Sequence, residues 1–353
     1  MSDLFATRRT LLLGTALAAG QVAVARGQTT PPGFAAMTAN ANIGTVGIVS
    51  GGVDGTYIRI AADLASVLDD ERLRVLPIIG KGSVQNLADI VFLRGVDLGV
   101  VQSDALAFVM AEKQMPGIEH TINYIAKLYD EEVHVVARPE IGSLSDLAGK
   151  PVNVDVRGSG TAMTAQLIFK SVKVSIQAKN DTQDVALQKL RAGEIAAMVY
   201  VTGKPARLFG TIPAESGLHF LAIPPLAELV DNYLPAQLDH TAYPGLVPSE
   251  APVPTVAVGA VMAVYAWPPG SERRAKVDRF VEALTAKLSL LQQPPRHPKW
   301  REVNLAAQAP GWTRLDTVAP DALASSASGR LRHRPARLSL LETKEAGDGF
   351  FSR

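Results

Sequence analysis

Apolar and polar positions along the chain fall into two alternating rhythms. Thr45 to Ser50 is an apolar run of strand length, and Tyr57, Ile60, Ala61, Leu64, Val67 and Leu68 then recur at helical spacing. Leu73 to Ile79 predicts the next strand. Ser83 is a natural N-cap for a helix carrying Val84, Leu87, Ile90 and Val91, which Gly95 closes. Asp97 to Gln102 reads as a strand, with Ser103 or Asp104 capping the helix behind it, and Tyr124 to Leu128 and Val133 to Ala137 are two further strands. Strand and helix in strict alternation predict an α/β architecture.

The same grammar restarts near Ser143, which caps a short helix before a strand at Pro151 to Val156. The loop Arg157-Gly158-Ser159-Gly160-Thr161 then leads into a helix running to Val172. Leu93-Arg94-Gly95-Val96-Asp97-Leu98 has an echo in Leu190-Arg191-Ala192-Gly193-Glu194-Ile195, which suggests two similar lobes. A long apolar run, Val253 to Trp267, precedes Pro268-Pro269-Gly270 and an amphipathic helix from Ser271 to about Leu291. The expected organisation is a first lobe over 43–137, a second over 138–252 and a return to the first over 253–324. Two chain crossings would make a hinge between the lobes. Residues 26–42, rich in Pro, Ala and Asn, are expected to be a linker, and 325–353 a disordered tail.

The first residues change the picture of where the protein works. Arg8 and Arg9 precede the apolar run Leu11 to Ala19, and Ala23 and Ala25 follow with one residue between them, the order of parts in a signal peptide over 1–25. Thr7-Arg8-Arg9-Thr10-Leu11-Leu12 fits twin-arginine export, and a Sec signal fits as well. Either route predicts a periplasmic protein. Cysteine is absent, which excludes disulfides, thiolate metal sites, cysteine nucleophiles and a lipoprotein anchor. With 35 basic and 34 acidic residues, no strong field draws the chain to nucleic acid. A monomer with a small partner is expected, and no metal or cofactor.

Three loops carry the candidate chemistry: Ser50 to Thr56, Gly80 to Ser83 and Arg157 to Thr161. In each, glycine lets backbone approach a ligand and a helix starts at once, offering N–H groups and partial positive charge to an anion. For one loop alone a tight turn and a cap is the stronger account. Three at corresponding strand ends point to a site, because open α/β sheets bind ligands there. Gly51-Gly52-Val53-Asp54-Gly55-Thr56 lacks the lysine of a phosphate-binding loop and the spacing of a dinucleotide fingerprint. Asp54 either receives a ligand amine or is a turn aspartate. Arg157 either clamps a carboxylate or is a solvated surface arginine. Tyr57 lines the cleft or belongs to the core, and His134 reads as a strand residue rather than a base. No G-x-S-x-G, S-x-x-K or H-E-x-x-H motif occurs, so no catalytic residue is assigned and a binding protein, not an enzyme, is expected.

Over residues 43–315 these stretches resemble the TAXI family of solute receptors of TRAP transporters. The resemblance rests on Gly51 to Tyr57, Gly82 to Leu87, Val96 to Asp104, Val133 to Val136 and Gly158 to Thr161. It implies a two-lobed periplasmic-binding-protein type II fold. It also implies a carboxylate-bearing ligand, an amino acid or organic acid, delivered to the permease subunits of a TRAP-type transporter. Carried over, the ligand residues would be Gly52, Thr56, Tyr57, Ser83, Gln102, Ser103, Ser159, Gly160, Thr161 and Gly203. Arg157 and Thr202-Gly203-Lys204-Pro205 depart from the family's pattern. The rivals are a receptor for an ABC importer, a ligand-sensing module for a membrane kinase, and an exported enzyme on the same scaffold.

Overall fold

The structure is a computed structural model, and it describes residues 32–224 and 233–317. The signal peptide and the tail expected from the sequence lie outside these residues. The chain divides into two compact units, 1–42 and 43–353. Where a linker was expected, Pro32–Ile43 is an α-helix, α1. The helix has a simple cause: the segment is alanine-rich, and its proline stands at the first helical position, where the missing N–H breaks no helical bond.

The second unit is built on a mixed sheet, with ten strands among the described residues. β1 (Thr45–Val49) lies between β2 (Arg74–Ile78) and β3 (Leu98–Gln102), parallel to both. β10 (Val253–Tyr265) runs antiparallel between β3 and β4 (Ile122–Ala137). The far half of β4 pairs with β7 (Ala197–Thr202), and β7 leads to β5 (Pro151–Asn153) and β6 (Gln177–Lys179). β8 (His219–Phe220) adds to β4, and β9 (Leu234–Leu238) adds to β10. The α/β architecture expected from the sequence is observed, and the sheet falls into two halves, β2-β1-β3 and β7-β5-β6, joined through β10 and β4; these halves are the two lobes. The two strands predicted at Tyr124 and Val133 are one strand of 16 residues, because cross-strand pairing with β10 continues through the acidic stretch between them. β4 and β10 thus run from one lobe into the other, and their register shifts near Gly259.

Helices bury one face each against this sheet. α2 (Thr56–Leu68) buries Tyr57, Ile60, Ala61, Leu64 and Leu68, and α8 (Glu272–Leu291) buries Val277, Phe280, Val281, Leu284, Leu288 and Leu291, in one shared core. Ser271 caps α8 by accepting from Arg274 N at 3.2 Å. Ser143 and Asp146 form a reciprocal capping box on the short 3-10 turn Leu144–Leu147. The predicted strand through Val156 stops at Asn153 because Asp155 takes a left-handed backbone, φ 71°. α3 (Ser83–Phe92) begins one residue earlier than predicted: Gly82 is the N-cap, and Ser83 Oγ accepts instead from Gln102 N at 2.9 Å. α4 (Ala105–Ala111) has Asp104 as its N-cap residue but no side-chain cap. The carboxylate is engaged elsewhere, accepting from the Tyr233 hydroxyl at 2.7 Å. α5 (Gly160–Ser171), α6 (Gln183–Ala192) and the single turn α7 (Arg207–Gly210) complete the second lobe. Among the described residues no helix is long and apolar enough to cross a membrane.

Candidate functional site

The N-terminal ends of α2, α3 and α5 meet at one cavity of about 50 Å³ between the lobes. Eight of the residues singled out in the sequence line it: Gly52, Thr56, Tyr57, Ser83, Gln102, Ser159, Gly160 and Thr161. Local chemistry places each of them. Asn86, fully buried, accepts from Gly82 N and donates to Ser50 O and Val100 O at 2.8 Å each, which ties the Gly80–Ser83 loop to the ends of β1 and β3. Ser159 caps α5 by accepting from Ala162 N at 3.0 Å. Thr161 Oγ1 accepts from Val201 N at 3.1 Å, which pins α5 to β7.

The lobes are closed on each other. Thr56 Oγ1 lies 3.0 Å from Thr202 Oγ1 and donates to Gly203 O at 3.1 Å. Gln85 N donates to Gly158 O at 3.0 Å, and Gln102 Nε2 to Thr164 Oγ1 at 3.3 Å. Closure explains one glycine. A Cβ on Gly160 would stand 2.2 Å from Gln102 Oε1 and 2.5 Å from Ser83 Oγ, so the second lobe reaches the first only because that side chain is missing.

Three of the expected residues are not on the cavity wall. Ser103 belongs to the hinge, where its N donates to Gly259 O at 2.7 Å and its carbonyl accepts from Trp312 Nε1 at 2.7 Å. Gly203 contributes only its carbonyl to Thr56, and its Cα packs under Lys299 and Tyr129. Arg157 is exposed and borders a different, more apolar cavity of about 460 Å³, lined among others by Val84, Phe108, Met163 and Phe169. The left-handed Gly158 (φ 87°) follows Arg157 in the loop, and Ser159 is the residue the two cavities share. Asp54 is also off the wall, 3.6 Å from Arg207. His134 is a core residue, as its strand context suggested. Its Nε2 lies 2.7 Å from Tyr243 Oη among Phe209 and Phe220, and burial pulls its pKa down to about 3.

Sequence reasoning missed Lys81, Glu131, Asp155, Tyr200 and Thr202, all on the cavity wall. Glu131, on β4, is 2% exposed, and its Oε1 has no hydrogen-bond partner among the described residues; the same is true of the Tyr57 hydroxyl beside it. Burial pushes the Glu131 carboxyl well above the ordinary glutamate range. The neighbouring Tyr57 hydroxyl pulls it back, and the adjacent Glu132 charge adds to the rise. Burial likewise lifts Asp155 to about 6, against a hydrogen bond from Val156 N and the Ser159 and Gln183 side chains. One signal was available in the sequence. Asp130-Glu131-Glu132 interrupts a largely apolar strand, and charged residues are almost never fully buried without a partner.

On the other side of β4, Glu132 Oε1 is paired with Lys299 Nζ at 2.7 Å, and its Oε2 accepts from Lys204 N at 2.8 Å. Desolvation would lower the Lys299 pKa, yet Glu132 and Glu302 outweigh it and hold the ammonium above its usual range. Burial pushes Glu132 upward as well. An ammonium and a backbone N–H on its two oxygens still make the ionised pair the state this geometry supports.

The chemistry available at the cavity is therefore hydrogen bonding from helix ends and hydroxyls, with two carboxylates of raised pKa. Among solved structures the chain is similar to one described as a periplasmic transporter, at 13% identity and TM-score 0.49, covering 81% of this chain and 93% of that one. It is also similar to the periplasmic binding protein BugD, at 16% identity and TM-score 0.46, over 80% of this chain and 93% of that one. A third is the alkanesulfonate-binding protein SsuA from Xanthomonas axonopodis pv. citri bound to MOPS, at 16% identity and TM-score 0.44, over 81% and 84% of the two chains. A family model described as the NMT1-like family matches residues 48–272, from β1 across both lobes to the start of α8. That stretch is more than half of the sequence, and the chain belongs to the NMT1-like family.

Proposed function

We propose that this protein is an extracytoplasmic solute-binding receptor that closes around a small carboxylate-bearing solute and delivers it to a TRAP-type membrane transporter, in the manner of the TAXI receptors its motifs resemble. The observation that carries the reading is the convergence of three helix N-termini on one cavity between the two lobes. Each N-terminus favours negative charge there. Residues Gly52, Thr56, Tyr57, Ser83, Gln102, Ser159, Gly160 and Thr161 would surround the ligand. The segments 43–137 and 253–324 would form one lobe and 138–252 the other, with the export signal removed after Ala25.

One observation favours a second reading. Two carboxylates of raised pKa on one cavity wall are what an exported enzyme on this scaffold would use for acid and base work. Native mass spectrometry of the protein purified from its own cells tests both. A single co-purifying small acid, recovered chemically unchanged after prolonged incubation with excess protein, supports the receptor; conversion of that molecule sinks it in favour of the enzyme. Preparations that carry no small molecule and bind none from a metabolite extract overturn both readings. A gene for a large permease beside this one, rather than for an ATPase or a kinase, favours the TRAP assignment over its transport and sensing rivals.

A further inference from the structure

The turn from Arg157 to Thr161 divides two cavities of different character. Gly160 and Thr161 line the polar one, Arg157 and Gly158 line the apolar one of about 460 Å³, and Ser159 lines both. That second volume falls within the range of ordinary small-molecule sites, roughly 300–1,000 Å³. Its walls come from both lobes. Val84 of α3 and Phe108 of α4 stand on one side and pack against a core of the first lobe. Val154, Phe169 of α5 and Ile176 stand on the other and belong to the core of the second lobe. Met163 of α5 crosses over: it is 3% exposed and shares the first-lobe cluster with Leu106 and Val109. The cavity is a hydrophobic seam that the two lobes complete together, and Gln85 N, donating to Gly158 O at 3.0 Å, ties them at its edge.

The seam has a direction. From Ala162 to Phe169 its wall follows α5 for two turns, roughly 10 Å at about 1.5 Å per residue. Arg157 borders the end at which α5 begins. Among the described residues it is the single charged group on the wall; it is exposed, and no ion pair or hydrogen bond holds its guanidinium. Gln114, Gln166 and Asn180, also exposed on the wall, are neutral.

We propose that this seam is a second binding site, separate from the polar cavity, for a medium-chain monocarboxylate whose alkyl chain lies along α5 and whose carboxylate meets Arg157. Phe108, Phe169 and the adaptable Met163 offer the chain an apolar bed. Arg157 selects the sign of the head group and, being exposed, contributes modestly to affinity. An occupant held by walls from both lobes favours their closed arrangement, by linkage. None of this depends on what the polar cavity holds, and at about 50 Å³ that cavity is too small for the chain.

The test is isothermal titration of the full chain at neutral pH with butanoate, octanoate, octanol and octylamine. Octanoate is expected to bind at least tenfold more tightly than butanoate, since each fully buried methylene is worth about fourfold. It should bind about twofold to fivefold more tightly than octanol. Arg157→Ala should erase the difference between octanoate and octanol while leaving octanol unchanged. Phe108→Ala on the first lobe and Ala162→Trp, which fills the space from the second, should each weaken octanoate at least fivefold. Exchange of the Gln85 amide hydrogen, which bonds across the lobes, should slow when octanoate is bound.

Absence of octanoate binding, equal affinity for butanoate, or octylamine binding as tightly as octanoate overturns the proposal. So does octanoate binding that Phe108→Ala and Ala162→Trp leave untouched, because the chain then lies elsewhere, or a preference over octanol that survives Arg157→Ala. Unchanged exchange at Gln85 overturns the link to lobe closure. Circular dichroism melting verifies the fold of each variant, and should Ala162→Trp fail to fold, the chain-length series, Phe108→Ala and Arg157→Ala decide.

Discussion

The two sides of the hinge strand β4 carry consecutive carboxylates with opposite fates. Glu132 faces the outer layer, where Lys299 and a backbone N–H saturate it; Glu131 faces the cleft, where one oxygen has no partner among the described residues. The strand's alternation puts them on opposite faces, so chemistry that is identical in sequence becomes a structural strut on one side and an open valence on the other. Burial alone therefore does not mark a functional residue. The missing partner at Glu131 Oε1 is visible only when both faces are known.

The sharpest way to break the comparison is to remove the strut. Lys299→Met leaves Glu132 buried without its counter-charge, and unfolding in urea should show a loss of about 3–5 kcal/mol. Adding Glu132→Leu should recover most of it; no recovery would mean that Lys299 acts through its packing and not its charge. On the cleft side the sign reverses. Glu131→Gln should stabilise the unliganded protein by about 1–3 kcal/mol at neutral pH, since a carboxyl whose ionisation burial opposes in the folded state alone is replaced by a neutral amide.

That gain must depend on pH. A carboxyl whose folded pKa is raised contributes stability that is fully present below its unfolded value, near 4.5, and is lost as pH rises toward the folded value. Wild type and Glu131→Gln should then melt together at pH 4 and diverge in favour of the variant as pH increases. Tyr57, Tyr129, Glu132, Asp104 and Lys299 are the neighbours that modulate this titration. Equal melting temperatures at pH 4 and pH 8 would show that Glu131 is not buried alone.

Smaller effects sharpen the boundary of the site. Ser159→Ala removes the cap of α5 and should lower stability by about 1 kcal/mol. Combined with Thr161→Val it should also weaken ligand affinity by about 1–3 kcal/mol in calorimetry. Arg157→Ala, off both faces of β4 and exposed, should change stability by less than about 0.5 kcal/mol and leave affinity as it was. A large loss of affinity there would return Arg157 to the ligand.

Much of the fold was legible because period and punctuation are local. The helical recurrence from Tyr57 to Leu68, the cap at Ser271 and the box at Ser143 and Asp146 are each set by residues within a few positions of one another. The glycine-bearing loops were legible for the same reason, and eight of their residues and neighbours line the cavity. Other readings failed for reasons at longer range. Ser83 looked like a cap, but Gln102 N, 19 residues away, claims its hydroxyl. Asp104 looked like a cap too, and Tyr233 takes its carboxylate. Arg157 could be read equally as a carboxylate clamp or as a surface arginine, and it is exposed beside the more apolar cavity.

By itself, then, the sequence determined the alternation of strands and helices and the places where helix ends and flexible backbone could meet a ligand, because those depend on short-range sterics and on periodic burial. Only the tertiary structure decided which of those ends face a common space, that β4 is one strand running through both lobes, and that Glu131 and Glu132 part company. Charge pairing between residues as distant as Glu132 and Lys299 is a matter of three-dimensional proximity, and nothing in the local order of side chains encodes it.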